Sequence, residues 1–165
     1  MIDIESLPYR ECVGIMLMNA SGQAWIGRRI PNGTIDVGSL IWQMPQGGID
    51  KGETSEQAAW RELKEETGVT SARVLATIDS WLYYDLPADI VGQALKGKFR
   101  GQKQKWFAMQ LTGSEREINI AADDGLKQEF DQWKWINMDQ LVDLIVPFKR
   151  DVYRQVIKDF SHLTK

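Results

Sequence analysis

The chain opens its structured part with a strongly apolar run, Val13 to Met18, followed by the turn pair Ser21-Gly22. Gln23 to Ile30 can then return as the second arm of a hairpin. Pro31-Asn32-Gly33 breaks the chain, Leu40 to Met44 predicts a short strand ending at Pro45, and Gln46 to Gly52 predicts a glycine-rich loop. Thr54 or Ser55 can cap a helix running to about Thr67, with Gly68 as its stop. Arg73 to Tyr84 has the apolar, β-branched content of a strand, and Asp85 to Gly101 is an irregular excursion. Gln102 to Leu111 predicts another strand and Gln132 to Ile136 a shorter one. Phe148, Val152, Val156, Phe160 and Leu163 recur at four- and three-residue spacing, the stripe of a closing helix over Phe148 to Leu163. Strands flanked by two or three helices predict a layered α/β/α sandwich, and 165 residues predict a single domain over 1–165.

Composition narrows the chemistry. No apolar run is long enough to span a bilayer, and Met1 to Glu11 carries three acids and no apolar segment, so neither a membrane partner nor a secretory signal is expected. A cytoplasmic location is the expectation. One cysteine, Cys12 in an apolar stretch, excludes an intrachain disulfide and a cysteine-based metal cluster, and its surroundings predict a core residue. One histidine, His162, argues against histidine-based phosphatases and histidine-rich metal sites. Any metal must then be held mainly by oxygen, which favours hard cations such as magnesium or manganese. A net charge of −3 argues against electrostatic binding of nucleic acid by the whole protein, and so against a DNA duplex as partner. The five basic residues between Lys96 and Lys105, taken alone, fit a solvated loop.

One segment carries more. Glu62, Glu65 and Glu66 stand at i, i+3 and i+4, so their carboxylates share a helix face and repel by about 0.2–0.5 kcal/mol per pair. Gly68 puts Glu65 and Glu66 in the last turn, where the helix dipole disfavours acids by roughly 0.3–1 kcal/mol each. A bound divalent cation would reverse both penalties. Ala58 lies one turn before Glu62 and leaves space, Ala59 and Leu63 can pack on a sheet, and Gly47, Gly48 and Gly52 permit close approach of backbone to a ligand. Arg61 and Glu53 can pair and tie the loop to the helix.

The full spacing is Gly47, five residues, Glu53, seven residues, then Arg61-Glu62-Leu63, Glu65-Glu66, Gly68 and Val69. It matches the signature of the Nudix family at every defining position. Beyond this box, Tyr9-Arg10, Val13 to Ile15, Arg28-Arg29, Trp42 to Gly48, Gly101 to Phe107, Glu129 to Asp131 and Phe148 to Tyr153 resemble one branch. That branch is the bacterial RNA 5′-pyrophosphohydrolases and their kin, the dinucleoside polyphosphate hydrolases. Pro31 to Leu40 and Leu86 to Lys98 carry less of the likeness.

The resemblance implies a mixed sheet between helices, with the box forming a loop–helix–loop. It implies that Gly47, Glu62, Glu65, Glu66 and Glu129 surround two or more magnesium or manganese ions. It makes Glu65, Glu66, Glu129, Arg61 and Glu53 the catalytic set, Glu129 completing the metal site or orienting the attacking water. It tips Arg10, Arg28, Lys103 and Lys105 toward phosphate contact, and makes Phe148, with Tyr84 and Tyr83 more weakly, candidates for stacking on a base. The seven tryptophans are read as structural. The implied activity is removal of phosphates from tri- or diphosphorylated RNA 5′ ends by a monomer. Hydrolysis of dinucleoside polyphosphates is the alternative, and a silent Nudix-fold binding module ranks below both because every box acid is present.

Overall fold

The structure is a computed structural model describing residues 3–31, 41–92, 97–121 and 127–164. The chain break at Asn32-Gly33, the start of the strand expected from Leu40, and Lys96 lie outside the described residues. Strands β1 (Tyr9–Met18), β2 (Ala24–Arg29), β3 (Trp42–Gln43) and β4 (Gln46–Gly48) precede helix α1 (Ser55–Thr67). Strands β5 (Ala72–Asp85), β6 (Gly101–Leu111) and β7 (Phe130–Ile136) follow, then helices α2 (Leu141–Leu144) and α3 (Arg150–Phe160). No helix among the described residues is long and apolar enough to cross a membrane.

The sheet runs β3-β2-β1-β6-β5, with β4 also paired to β1 and β7 to β2. β1 and β6 are parallel from Tyr9↔Gly101 to Met18↔Gln110, and β5 is antiparallel to β6, so the sheet is mixed. The expected hairpin is present only at its base. β2 meets β1 at Met18↔Ala24 and then diverges to pair with β7, while β4 takes the freed side of β1 at Cys12↔Gly48, Val13↔Gly47 and Gly14↔Gln46. The stretch expected to be a loop from Gln46 is therefore a strand through Gly48, because the splayed hairpin leaves a vacant edge of β1 to be hydrogen-bonded.

Side chains alternate across β1. Val13, Ile15 and Leu17 enter the core beneath α1 with Ala58, Ala59, Leu63, Phe107 and Phe130. Met16 and Met18 enter the other core with Met44, Trp106, Tyr153, Val156 and Phe160 beneath α2 and α3. Cys12 is buried, as its surroundings require.

α1 begins at a capping box: the Thr54 hydroxyl accepts from Gln57 N at 3.1 Å, and the Gln57 carboxamide accepts from Thr54 N at 2.9 Å. It ends at Gly68, in the left-handed region at φ 77°, with Asn119 N donating to the Thr67 carbonyl at 2.7 Å. The closing helix is shorter than the stripe predicts. A tight turn over Pro147–Lys149 precedes α3 and another covers Ser161–Thr164, yet Phe148 and Leu163 still pack against the α3 core. The turn and short helix from Met138 to Leu144 have no counterpart in the sequence reading, since they are too short to show a helical period.

Candidate active site

Arg61 organises the loop before α1. Its Nε donates to Glu53 Oε2 at 2.8 Å, and its Nη2 donates to Glu53 Oε1 at 2.9 Å and to the Gly48 carbonyl at 2.8 Å. Glu53 Oε1 also accepts from Asp50 N at 2.9 Å, and Asp50 pairs with Arg61 at 3.4 Å. The Arg61 guanidinium, with the Asp50 amide, holds the Glu53 carboxyl down at about 2. The remaining nitrogen, Nη1, donates to Glu62 at 2.9 Å and to Glu65 at 3.3 Å. Arg61 therefore locks the loop with one edge and neutralises two helix acids with the other.

Glu62 lies against Gly47, where any Cβ would collide with its carboxylate. This is the physical reason for glycine there: the carboxylate occupies the space a side chain would fill. Burial raises the Glu62 carboxyl to about 7, against the lowering effect of Arg61. Glu66 is buried at 8% exposure. Its Oε1 accepts from Gln46 N at 3.2 Å, and its Oε2 has no hydrogen-bond partner among the described residues. Burial pushes this carboxyl well above its ordinary range, and the charges of Glu129 and Glu62 push it further. A buried carboxylate oxygen without a donor is costly unless a cation faces it. Among the described residues no three acids already form a metal cage, consistent with Arg61 drawing Glu62 and Glu65 to itself.

Glu129 stands just before β7; its carbonyl accepts from Ile30 N at 3.0 Å, and its carboxylate is 4.0 Å from Arg29. Its field reaches Glu66 and Lys149. Lys149 is buried at 4% exposure, and burial, helped by Arg29, lowers its ammonium to about 7. It donates to Gln43 Oε1 at 3.3 Å and lies 5.5 Å from the Tyr84 ring. Phe148, half-buried, sits 5.7 Å from Tyr84. Tyr84 is thus enclosed, and Phe148 is the outer ring of the pair. Arg10 lies against Gly48, where a Cβ would meet its guanidinium, and in the sheet it stands beside Gln102.

The other expected phosphate contacts are placed differently. Arg28 makes two hydrogen bonds to Asp131, at 2.8 and 3.1 Å, while buried Arg29 is the one beside Glu129. Lys103 and Lys105 do point the same way, as alternate strand residues must. Both cover the Trp81 ring, at 4.8 and 5.0 Å, with Lys103 also 3.5 Å from Glu11 and Lys105 donating to the Asp79 carbonyl at 2.6 Å. They leave on the α1 face of the sheet. The intervening residues, Gln102 and Gln104, leave on the Arg10 face and are buried. Tyr83 is exposed and packs on Tyr9.

Sequence reasoning missed Gln43, Gln102, Gln104, Arg29 and Lys149 as site residues. For Gln102 and Gln104, the parity of β6 relative to Trp106 held the signal. For Lys149, its i+3, i+4 and i+7 spacing to Val152, Tyr153 and Val156 did.

A family profile described as the NUDIX domain matches residues 8–156. The chain is 56% identical over 166 residues to the RNA pyrophosphohydrolase of Brucella ovis, covering 99% of this chain and 93% of that one. It is 54% identical to the RNA pyrophosphohydrolase of Brucella anthropi, covering 98% and 95%. Among solved structures, the E. coli dihydroneopterin triphosphate pyrophosphohydrolase superposes with a TM-score of 0.65 at 17% identity, covering 92% of this chain and 99% of that one. A C. elegans Ap4A hydrolase in a binary complex superposes with 0.62 at 18%, covering 93% and 98%. These two likenesses concern the fold.

Proposed function

The chain belongs to the Nudix family, and from that premise we propose that it removes phosphate from the 5′ end of tri- or diphosphorylated RNA by water attack on a phosphoanhydride. The observation that carries this reading is the buried carboxylate oxygen of Glu66 that has no hydrogen-bond partner among the described residues, with the charges of Glu129, Glu62 and Glu65 acting on it. Relatives at 54–56% identity across nearly the whole chain, each an RNA pyrophosphohydrolase, support the substrate class.

Nudix hydrolases generally use divalent metal ions. The donors here fit one: they are carboxylate oxygens, one has no hydrogen-bond partner among the described residues, and two are paired with Arg61. Glu62, Glu65, Glu66 and Glu129 would hold magnesium or manganese, two or more ions. Such ions supply neutralisation of polyphosphate charge and an acidified water.

The chain's own residues do the rest. Arg61 and Glu53 fix the loop, so that Gly47 and Gly48 bring backbone close to the phosphates. Arg10 and Lys149 present cations from the opposite side, and a phosphate beside Lys149 favours its charged form. Glu129, whose charge acts on Glu66, would orient the water or take its proton. Phe148 offers the outer aromatic surface for the first base. With no nucleophilic side chain required, the reaction is a direct displacement.

The test is a rate comparison on 5′-triphosphate RNA, 5′-diphosphate RNA and diadenosine tetraphosphate. We expect both RNAs to be cleaved, at similar rates for short and long chains, since recognition is at the 5′ end. Rapid turnover of diadenosine tetraphosphate with no RNA cleaved at any length would replace this reading with the dinucleoside polyphosphate one.

A further inference from the structure

We propose that Trp106 and Gln104 are positioning residues that set the polarity of a hydrogen-bonding wall for the substrate's phosphates. The proposal rests on the phosphohydrolase reading above and deepens it.

The argument starts in the core. Trp106 is fully buried. Its indole lies in space that Gly14 leaves open, since any Cβ on Gly14 would collide with it, and its ring meets Tyr153 edge-on at 5.7 Å. Tyr153 is held in turn by its hydroxyl, which accepts from Met44 N at 2.8 Å. The indole is therefore fixed, and its N–H can only donate. It donates to Gln104 Oε1 at 3.0 Å.

That single bond decides which way the Gln104 carboxamide points. Its Nε2 is turned outward and donates to Gln102 Oε1 at 2.9 Å and to Gln46 Oε1 at 3.2 Å. Both neighbouring carboxamides thus use their oxygens on Gln104. Each is left with an NH₂ group, and neither Gln46 Nε2 nor Gln102 Nε2 donates to any described residue.

The position of these groups gives the consequence. In the sheet, Gln102 stands between Arg10 on β1 and Tyr84 on β5. The Gln46 backbone N–H holds Glu66. A guanidinium and two amide NH₂ groups therefore border the carboxylate site, donors that suit phosphate oxygens. Reversal of Gln104 would turn both neighbours, and their carbonyl oxygens would then meet the anion. The buried indole N–H prevents that reversal, because losing its acceptor would leave a buried donor unpaired.

The test compares Gln104→Glu, Gln104→Met and Trp106→Phe with the wild type. The readouts are calorimetric binding of inorganic triphosphate and the KM and kcat for 5′-triphosphate RNA, with near-ultraviolet circular dichroism to confirm the fold. Gln104→Glu keeps the shape but has no donor, so both neighbours must turn their NH₂ groups inward. It should weaken triphosphate binding and raise KM by about tenfold or more, with kcat changed much less. Gln104→Met and Trp106→Phe add no charge and free the amides to rotate. They should move Kd and KM in the same direction by several-fold, which separates amide orientation from charge repulsion.

Unchanged Kd and KM in folded Gln104→Met, or a fall in kcat at constant KM, would overturn the proposal. If Trp106→Phe does not fold, the two Gln104 variants decide. If the wild type binds triphosphate but cleaves no phosphoanhydride, the hydrolase reading fails, and the wall is judged on the Kd values alone.

Discussion

Glu66 shows how a residue can be costly to the fold and necessary to the site. Its carboxylate is buried, with one oxygen unpartnered among the described residues and three other acids acting on it. Glu66→Gln keeps an oxygen to accept from Gln46 N while removing the charge. Hydrolysis should fall by several orders of magnitude, yet the metal-free variant should melt no lower than the metal-free wild type. A large loss of metal-free stability, read by thermal denaturation, would make Glu66 structural. Gly47→Ala reaches the same site from the loop: its Cβ would occupy the place of the Glu62 carboxylate, so metal affinity and rate should both fall while α1 persists. Circular dichroism with a magnesium titration checks this. The box acids were legible because i, i+3, i+4 spacing fixes a helix face whatever surrounds it. Lys103 and Lys105 were legible as neighbours, but which sheet face they share depends on where Trp106 lies, which local spacing does not reveal. Lys149 was not singled out, because a lysine at the start of a helix is ordinarily exposed; here its side chain is buried beside Gln43 and Tyr84.

At the scale of elements, α1 is defined by local signals that survived intact: Thr54 caps it, Gly68 ends it, and Ala58, Ala59 and Leu63 dock it on the sheet. Thr54→Ala removes the side chain that accepts from Gln57 N and should cost about 1 kcal/mol of stability by denaturant unfolding. No change would mean that the Asn119 contact and docking alone hold the helix. Strand pairing was less legible. The apolar runs located β1, β5 and β6, but the splay of β2 toward β7 and the insertion of β4 beside β1 depend on partners far along the chain. That splay matters, because β4 carries Gln46, Gly47 and Gly48 to the carboxylates of α1.

Across the whole molecule, two buried groups give the metal-free protein a distinctive response to pH. The Glu62 carboxyl is raised to about 7 by burial, so its contribution to stability is full below its unfolded value and is lost as pH rises through about 7. The Lys149 ammonium is lowered to about 7 by burial, so its contribution is present above its unfolded value and is lost as pH falls through about 7. Together they leave the metal-free protein least supported near neutral pH. Melting temperatures in chelator should therefore rise when Glu62→Gln is compared with the wild type at pH 7 and converge with it at pH 4.5. An equal offset at both values would contradict the burial account. The net charge of −3 fits recognition of a short phosphorylated end rather than a long RNA track. The most direct test of the central claim is phosphate release from 5′-triphosphate RNA in magnesium, after chelation, and after magnesium is restored. The account predicts release that stops in chelator and returns with the metal; full turnover in chelator, or no release under any metal condition, would contradict it.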